Sequence, residues 1–212
     1  PPPGAFAEVY RQLLLPDTAG VVSLHPPDKL SALRQSAANG WDLLGSTLPY
    51  RALDAGQLSM ALGWIAVEVA RAAAEGADMD AIQGMVAELR TRVHLFAALE
   101  TVEYLRRSGR VGWARGTIGR PLLHLYQGDI MSLGYARTQH QADNRLLAEL
   151  AGLGALDQLS VLHADAPALA ASLVDRARPS SMSEPILIAN VTPILGSHVG
   201  PGTLSIAFMA GM

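Results

Sequence analysis

The stretch Gly196-Ser197-His198-Val199-Gly200-Pro201-Gly202 packs three glycines, a proline and a single imidazole into seven residues. Glycine takes positive φ cheaply and lets backbone approach a ligand closely. Pro201 fixes φ and stiffens the turn. The expected product is a rigid loop, beside an apolar strand from Thr203 to Phe208, that aims one titratable group at a small anionic head group. The other reading of the same residues is a tight turn with an incidental histidine.

A second cluster is basic. Glu103-Tyr104-Leu105-Arg106-Arg107-Ser108-Gly109-Arg110-Val111-Gly112 sets three arginines around a glycine turn. Arginine at a helix C-terminus answers the negative end of the helix dipole. Its forked donors also suit carboxylate or phosphate. Arg110 lies beyond Gly109 and is the arginine most apt to leave the helix surface and meet a ligand.

Other chemistry is missing from the sequence. There is no G-x-S-x-G elbow, no P-loop and no G-x-G-x-x-G fingerprint. The histidines at 25, 94, 124, 140, 163 and 198 form no H-E-x-x-H pair and have no metal-ligand spacing with carboxylates. His163-Ala164-Asp165 reads as a strand ending at His163 with Asp165 capping the next helix, and His25 stands at a strand end in the same way. No catalytic residue and no metal site is assigned, and no cofactor is expected.

Half of the 212 residues are apolar, 17% are charged and 5% are aromatic. That is fewer charges than the usual quarter, which points to a large interior, or an interior plus an apolar cavity. A net charge of −3 offers no basic field to a polyanion, so a nucleic-acid partner is not expected. No apolar run is long enough to span a bilayer, so stable membrane insertion is not expected either. The chain has no cysteine, which removes disulfide, thiolate-metal and thiol chemistry and fits a reducing, cytoplasmic setting. It opens Pro1-Pro2-Pro3-Gly4, without the basic and apolar regions of a secretory signal and without an initiator methionine. A start partway into a longer protein is the expectation.

The elements that must position these residues alternate. Phe6–Leu15 reads as a helix and Gly20–His25 as a buried strand. Asp28 is the expected cap of a helix running through Leu30, Leu33 and Ala37. Tyr50–Asp54 is a strand, and a helix runs from about Gln57 to Ala74. Gly76 stops it, and Asp78 caps a helix reaching about Arg92. Apolar His94–Leu99 and a short helix over Thr101–Arg107 follow. Ile130–Ala136, Leu159–Leu162, Ile186–Ala189 and Leu204–Phe208 read as strands, with helices over Thr138–Leu150 and Ala166–Arg178 between them. The pattern is α/β. The boundary falls in Gly76-Ala77-Asp78, giving lobes of residues 1–77 and 78–212.

Several segments together resemble the DegV family. Leu58-Ser59-Met60-Ala61-Leu62-Gly63, after Leu53-Asp54, resembles D-S-x-x-x-S-M-G-x-G. Glu100-Thr101-Val102-Glu103-Tyr104-Leu105 with Gly109-Arg110-Val111 resembles D-T-L-E-Y-L-x-x-G-G-R-I. Lys29-Leu30-Ser31 followed by Gln35-Ser36-Ala37 is similar to S-S-x-L-S-G-T-x-x-S-A. Val161 to Pro167 and the terminal G-[ST]-H-x-G-P-G match later motifs in the right order. The family's paired serines are Pro27 and Asp28 here, its S-G-T is Ser31-Ala32-Leu33, and the first glycine of G-G-R is Ser108.

The resemblance implies two α/β lobes. The first has a parallel sheet, truncated here, and the second a mixed sheet with flanking helices, with the ligand between them. It implies a bacterial fatty-acid-binding protein that presents a palmitate- or oleate-like ligand to a separate fatty acid kinase, and is not itself the catalyst. By motif position the carboxylate is held by Ser31, Arg110 and His198, within a loop of Gly196, Ser197, Val199 and Gly200. Arg137 corresponds to an arginine that docks the kinase. A threonine belonging to a T-S-x-P motif is expected ahead of Pro1, in a first βα segment absent from this sequence. The competing reading is a small-molecule enzyme using His198 as general base in the interlobe cleft. A family member reduced to an interaction role is a third.

Overall fold

The computed structural model describes residues 1–107, 109, 119–152, 154–177 and 185–211. The chain starts with helix α1 (Pro3–Leu13), strand β1 (Val21–His25), helix α2 (Leu33–Leu44) and strand β2 (Tyr50–Asp54). Pro2 and Pro3 suit a helix start, where a missing N–H costs nothing. The two strands pair in parallel, from Val21 opposite Tyr50 to His25 opposite Asp54. Tyr10, Val21, Ala37 and Trp41 form a small core beneath them. Helices α1 and α2 approach so closely that a Cβ on Gly40 would stand 2.6 Å from the Pro3 carbonyl oxygen. A half-buried hydroxyl chain crosses this unit, with Tyr10 Oη to Tyr50 Oη at 3.1 Å, Tyr50 Oη to Ser23 Oγ at 2.9 Å, and Ser23 Oγ to His25 Nε2 at 2.8 Å. Burial pushes the His25 imidazole below its ordinary range, and the nearby Arg34 charge adds to the effect.

Helices α3 (Ser59–Ala74) and α4 (Met79–Arg92) follow. Asp78 caps α4 as expected, its carboxylate accepting the Ala81 amide at 2.8 Å. Next come β3 (Val93–Ala98), α5 (Glu103–Arg107), β4 (Arg120–Tyr126), β5 (Asp129–Ala136), α6 (Gln139–Ala151), β6 (Leu156–His163), α7 (Pro167–Ala177), β7 (Leu187–Asn190), α8 (Pro193–Val199) and β8 (Leu204–Ala210). The last six strands form one sheet in the order β5-β4-β3-β8-β6-β7. Only β6 and β7 run parallel in it; the other pairs are antiparallel, so the sheet is mixed.

Both faces of this sheet are covered, which is why central β8 is a near-continuous apolar run. One face sets Phe96, Val161, Ile206 and Phe208 against Leu146 of α6 and Leu173 of α7. The other sets Leu95, Leu125, Leu162 and Ala207 toward Ile65 and Val69 of α3 and toward Val86 and Leu89 of α4. Val22 and Leu24 of β1 and Leu53 of β2 pack on that same core, which links the small sheet to the large one.

Several local expectations differ from the structure. Asp28 does not cap α2, which starts at Leu33 after Ala32. Its carboxylate is taken by Arg34 in a two-pronged ion pair, which holds the Asp28 carboxyl below the usual carboxylate range. Asp165 does not cap α7. It adopts φ 51°, and the His163 imidazole accepts the Ala166 amide at 3.2 Å instead. Strand β4 and helix α8 have no counterpart in the sequence reading. Helix α8 forms because Pro193 occupies its first turn and Thr192 Oγ1 accepts the Leu195 amide at 3.4 Å. The expected glycine loop is therefore half helix, and only Gly200 and Gly202 take positive φ, at 80° and 76°.

Candidate functional site

Between the small unit and the large sheet lies a cavity of about 540 Å³. Every strand of the six-stranded sheet contributes to its floor, through Ile130, Leu125, Ala97, Ser205, Leu162 and Ala189. Six strands at the normal spacing span about 24 Å. Leu30, Ser31 and Leu33 close it from the small unit, and Leu58 and Met60 from the start of α3. Helix α8 closes another side with Ile194, Leu195, His198 and Val199. The volume falls within the range of small-molecule sites, and the walls are overwhelmingly aliphatic. No Asp, Glu, Lys or Arg is among the described residues that line it.

Ser31 and His198, singled out from the sequence, line this one cavity. Ser31 sits in the turn between β1 and α2. Its amide donates to the Pro27 carbonyl at 3.0 Å, and its Oγ accepts the Leu33 amide at 3.3 Å. Such a turn leaves the hydroxyl proton for another acceptor. The loop is held from outside by a Lys29–Asp129 ion pair at 2.5 Å and by Pro27 packed against Gly128 of the β4–β5 turn. His198 occupies the last turn of α8. That end is tied to β8 by Thr203 Oγ1, which donates to the Val199 carbonyl at 2.9 Å.

Of the other expected site residues, Val199 lines the cavity, while Gly196, Ser197 and Gly200 do not. Ser197 is exposed and returns its hydroxyl to the Ile194 carbonyl at 2.7 Å. Arg110 lies outside the described residues, with Ser108, Val111 and Gly112 of the same motif. Its neighbours Arg106 and Arg107 are committed elsewhere, both bonding Glu103 at 2.9 Å on the exposed surface of α5. Those two guanidinium groups pull the Glu103 carboxyl down to about 2. Arg137 is exposed at the junction of β5 and α6 and is not part of the cavity wall. His163 and His25 serve structural hydrogen bonds away from it.

Sequence reading passed over Thr203, Ser205, Thr192 and Ser59, all on the cavity wall. For the first two a signal existed. Thr203, Ser205 and Ala207 alternate with Leu204, Ile206 and Phe208, which is the period of a strand with one smaller, more polar face.

The DegV family model, described as "Uncharacterised protein, DegV family", matches residues 1–211. A DegV domain-containing protein of Streptomyces coelicolor is 34% identical over 215 residues, covering 97% of this chain and 75% of that protein. A Thermus thermophilus structure, described as fatty acid binding of a DegV family protein, is 27% identical with a TM-score of 0.87, covering 100% of this chain and 78% of that one. The structure of DegV from Bacillus subtilis, described as a fatty acid binding protein, is 23% identical with a TM-score of 0.86, over 100% of this chain and 77% of that one. At that identity the second likeness speaks for the fold.

Proposed function

The chain belongs to the DegV family, and from that premise we propose that it binds a long-chain fatty acid between lobes of residues 1–77 and 78–212. The observation that carries this reading is the cavity itself. It is a long aliphatic space with a hydroxyl and an imidazole from separate parts of the chain on its wall. A palmitate- or oleate-like tail suits such walls. Burying each methylene is worth about 0.8 kcal/mol, so a sixteen-carbon tail supplies roughly 10 kcal/mol before ordering costs.

The head group needs partners, because a buried unpaired carboxylate is prohibitively costly. Ser31 and His198 donate to it, and Arg110 brings the neutralising charge that the described wall lacks. The fatty acid binding described for the Thermus thermophilus relative supports a fatty acid as the ligand. The protein then acts in the cytoplasm as a carrier and not as a catalyst, and it offers the carboxylate to a separate fatty acid kinase that docks at Arg137. That last step rests on the family motifs.

The deciding experiment is extraction and mass spectrometry of lipid co-purifying with the full chain, followed by titration with palmitate and oleate. A bound acyl chain with saturable binding is the expected result. A chain that carries no lipid and binds neither acid contradicts the reading.

A further inference from the structure

One polar group on the floor of the cavity lies outside the residues assigned above to the carboxylate. Ser205 lies on β8, in register with Ala97 of β3 on one side and Leu162 of β6 on the other, and all three line the cavity. It is only 6% exposed. Among the described residues no hydrogen bond reaches its hydroxyl, although Thr203, two residues earlier on the same face, is satisfied by the Val199 carbonyl. A serine on a strand spends its β-carbon on packing and leaves a donor and an acceptor in view. The hydroxyl is open to the cavity, so a polar group that enters with the ligand can pair with it directly.

Its position says which part of the ligand. Thr203 abuts the end of α8 that carries His198. Ser205 is two strand residues further along, about 7 Å by the rise of a β-strand. The walls around it are aliphatic, and His198 and Ser31 already serve the head group under the reading above, on which this inference rests.

We propose that Ser205 receives an oxygen carried within the acyl chain, and that the favoured ligand class is long-chain fatty acids bearing an in-chain hydroxyl several methylenes from the carboxylate. The serine hydroxyl donates to that oxygen and accepts from its proton. An unsubstituted chain passes the same point without filling the bond.

The test is competitive binding to the full chain of stearate and a series of hydroxystearates with the hydroxyl at positions 3 to 12. At least one isomer is expected to bind about 3- to 10-fold more tightly than stearate, the range of one net hydrogen bond. In Ser205→Ala that preference collapses to parity while stearate affinity stays within about twofold. The proposal is overturned if no isomer outcompetes stearate, if the preference survives in Ser205→Ala, or if Ser205→Ala weakens stearate as much as its hydroxylated forms, which would make Ser205 a head-group contact. Should Ser205→Ala fail to fold, the isomer series on the unaltered chain decides alone. Stearate that binds without discrimination ends this inference only. Stearate that does not bind at all ends the fatty-acid reading and this inference with it.

Discussion

Tyr104 of α5 packs so tightly on Gly200 that a Cβ placed there would stand 2.4 Å from the ring's Cδ2. Gly200 also holds φ at 80°. Two motifs far apart in the sequence, the Glu-Tyr-Leu segment and the Gly-Ser-His segment, thus meet beside the cavity. The contact fixes where α8 ends, and therefore where His198 stands.

Gly200→Ala meets both obstacles at once, a left-handed backbone and a ring that must move. The expected cost is at least about 1–3 kcal/mol of stability from the backbone alone. It would be read as a lower urea midpoint. Tyr104→Ala in the same background relieves the steric part only, so a double-mutant cycle that shows strict additivity would rule out the contact as the cause.

If Ser31 and His198 hold the head group as proposed, removing either should weaken fatty-acid binding and spare the fold. Ser31→Ala and His198→Ala are each expected to lower palmitate affinity by about 10-fold or more, the scale of a hydrogen bond to a charged group. Isothermal titration alongside circular dichroism checks this. Wild-type affinity in both variants contradicts the site.

The two arginines should separate binding from presentation. Arg110→Ala is expected to cost affinity as His198→Ala does. Arg137→Ala, exposed and off the cavity wall, should leave palmitate binding intact and impair phosphorylation of the bound acid by a fatty acid kinase. A loss of binding in Arg137→Ala equal to that of His198→Ala would refute the division.

Filling the cavity offers a test that does not touch any polar group. Ala97 stands on its floor between β8 and β4. Ala97→Phe should occupy the space an acyl chain needs and abolish palmitate binding. Because the ring enters an existing hollow, thermal stability should hold or rise. Undiminished binding by a folded Ala97→Phe protein would place the ligand elsewhere.

Acid should weaken the fold through a pair on the far side of the sheet. His94 Nδ1 and His124 Nε2 are hydrogen-bonded at 3.0 Å, with His94 stacked on Phe208. Burial pushes both imidazoles below their ordinary value, His124 to about 4, where the His94 neighbour adds to the shift. The folded state therefore binds these protons less readily than the unfolded chain does. The stability they contribute is complete above the unfolded value of about 6.5 and drains away as pH falls from there toward 4. Urea midpoints between pH 7 and pH 4 measure it. His124→Gln should flatten the profile, and an unchanged slope would assign the acid sensitivity to other groups.

The legible parts of this molecule were those with local causes. Asp78 before an amphipathic run, Gly76 after one, and β-branched residues between turn formers each specify an element from a few neighbours. They gave α1, β1, β2, α3, α4 and most of the large sheet within a residue or three. The failures were contests between local options. Asp28 had a helix to cap and an arginine to pair with, and Arg34 won because a two-pronged ion pair satisfies both carboxylate oxygens. Asp165 lost its capping place to an imidazole two residues back. Gly196 looked like a loop residue but lies in α8, since Thr192 and Pro193 had already started a helix. Strand β4 escaped notice because Pro121 near its start and His124 within it break the apolar alternation that marks a strand.

By itself the sequence determined the α/β class, the family, and the two residue types, hydroxyl and imidazole, that its motifs bring to the site. The class follows from short-range spacing, which a chain carries in any conformation, and the family and its residue types from the resemblance of its motifs. Only the tertiary structure decided that Ser31 and His198 share one largely aliphatic space, and that Ser205 faces the hollow with its hydroxyl unmatched. A cavity is the gap left between surfaces far apart in the chain, and its shape depends on strand order and helix packing that no local pattern encodes.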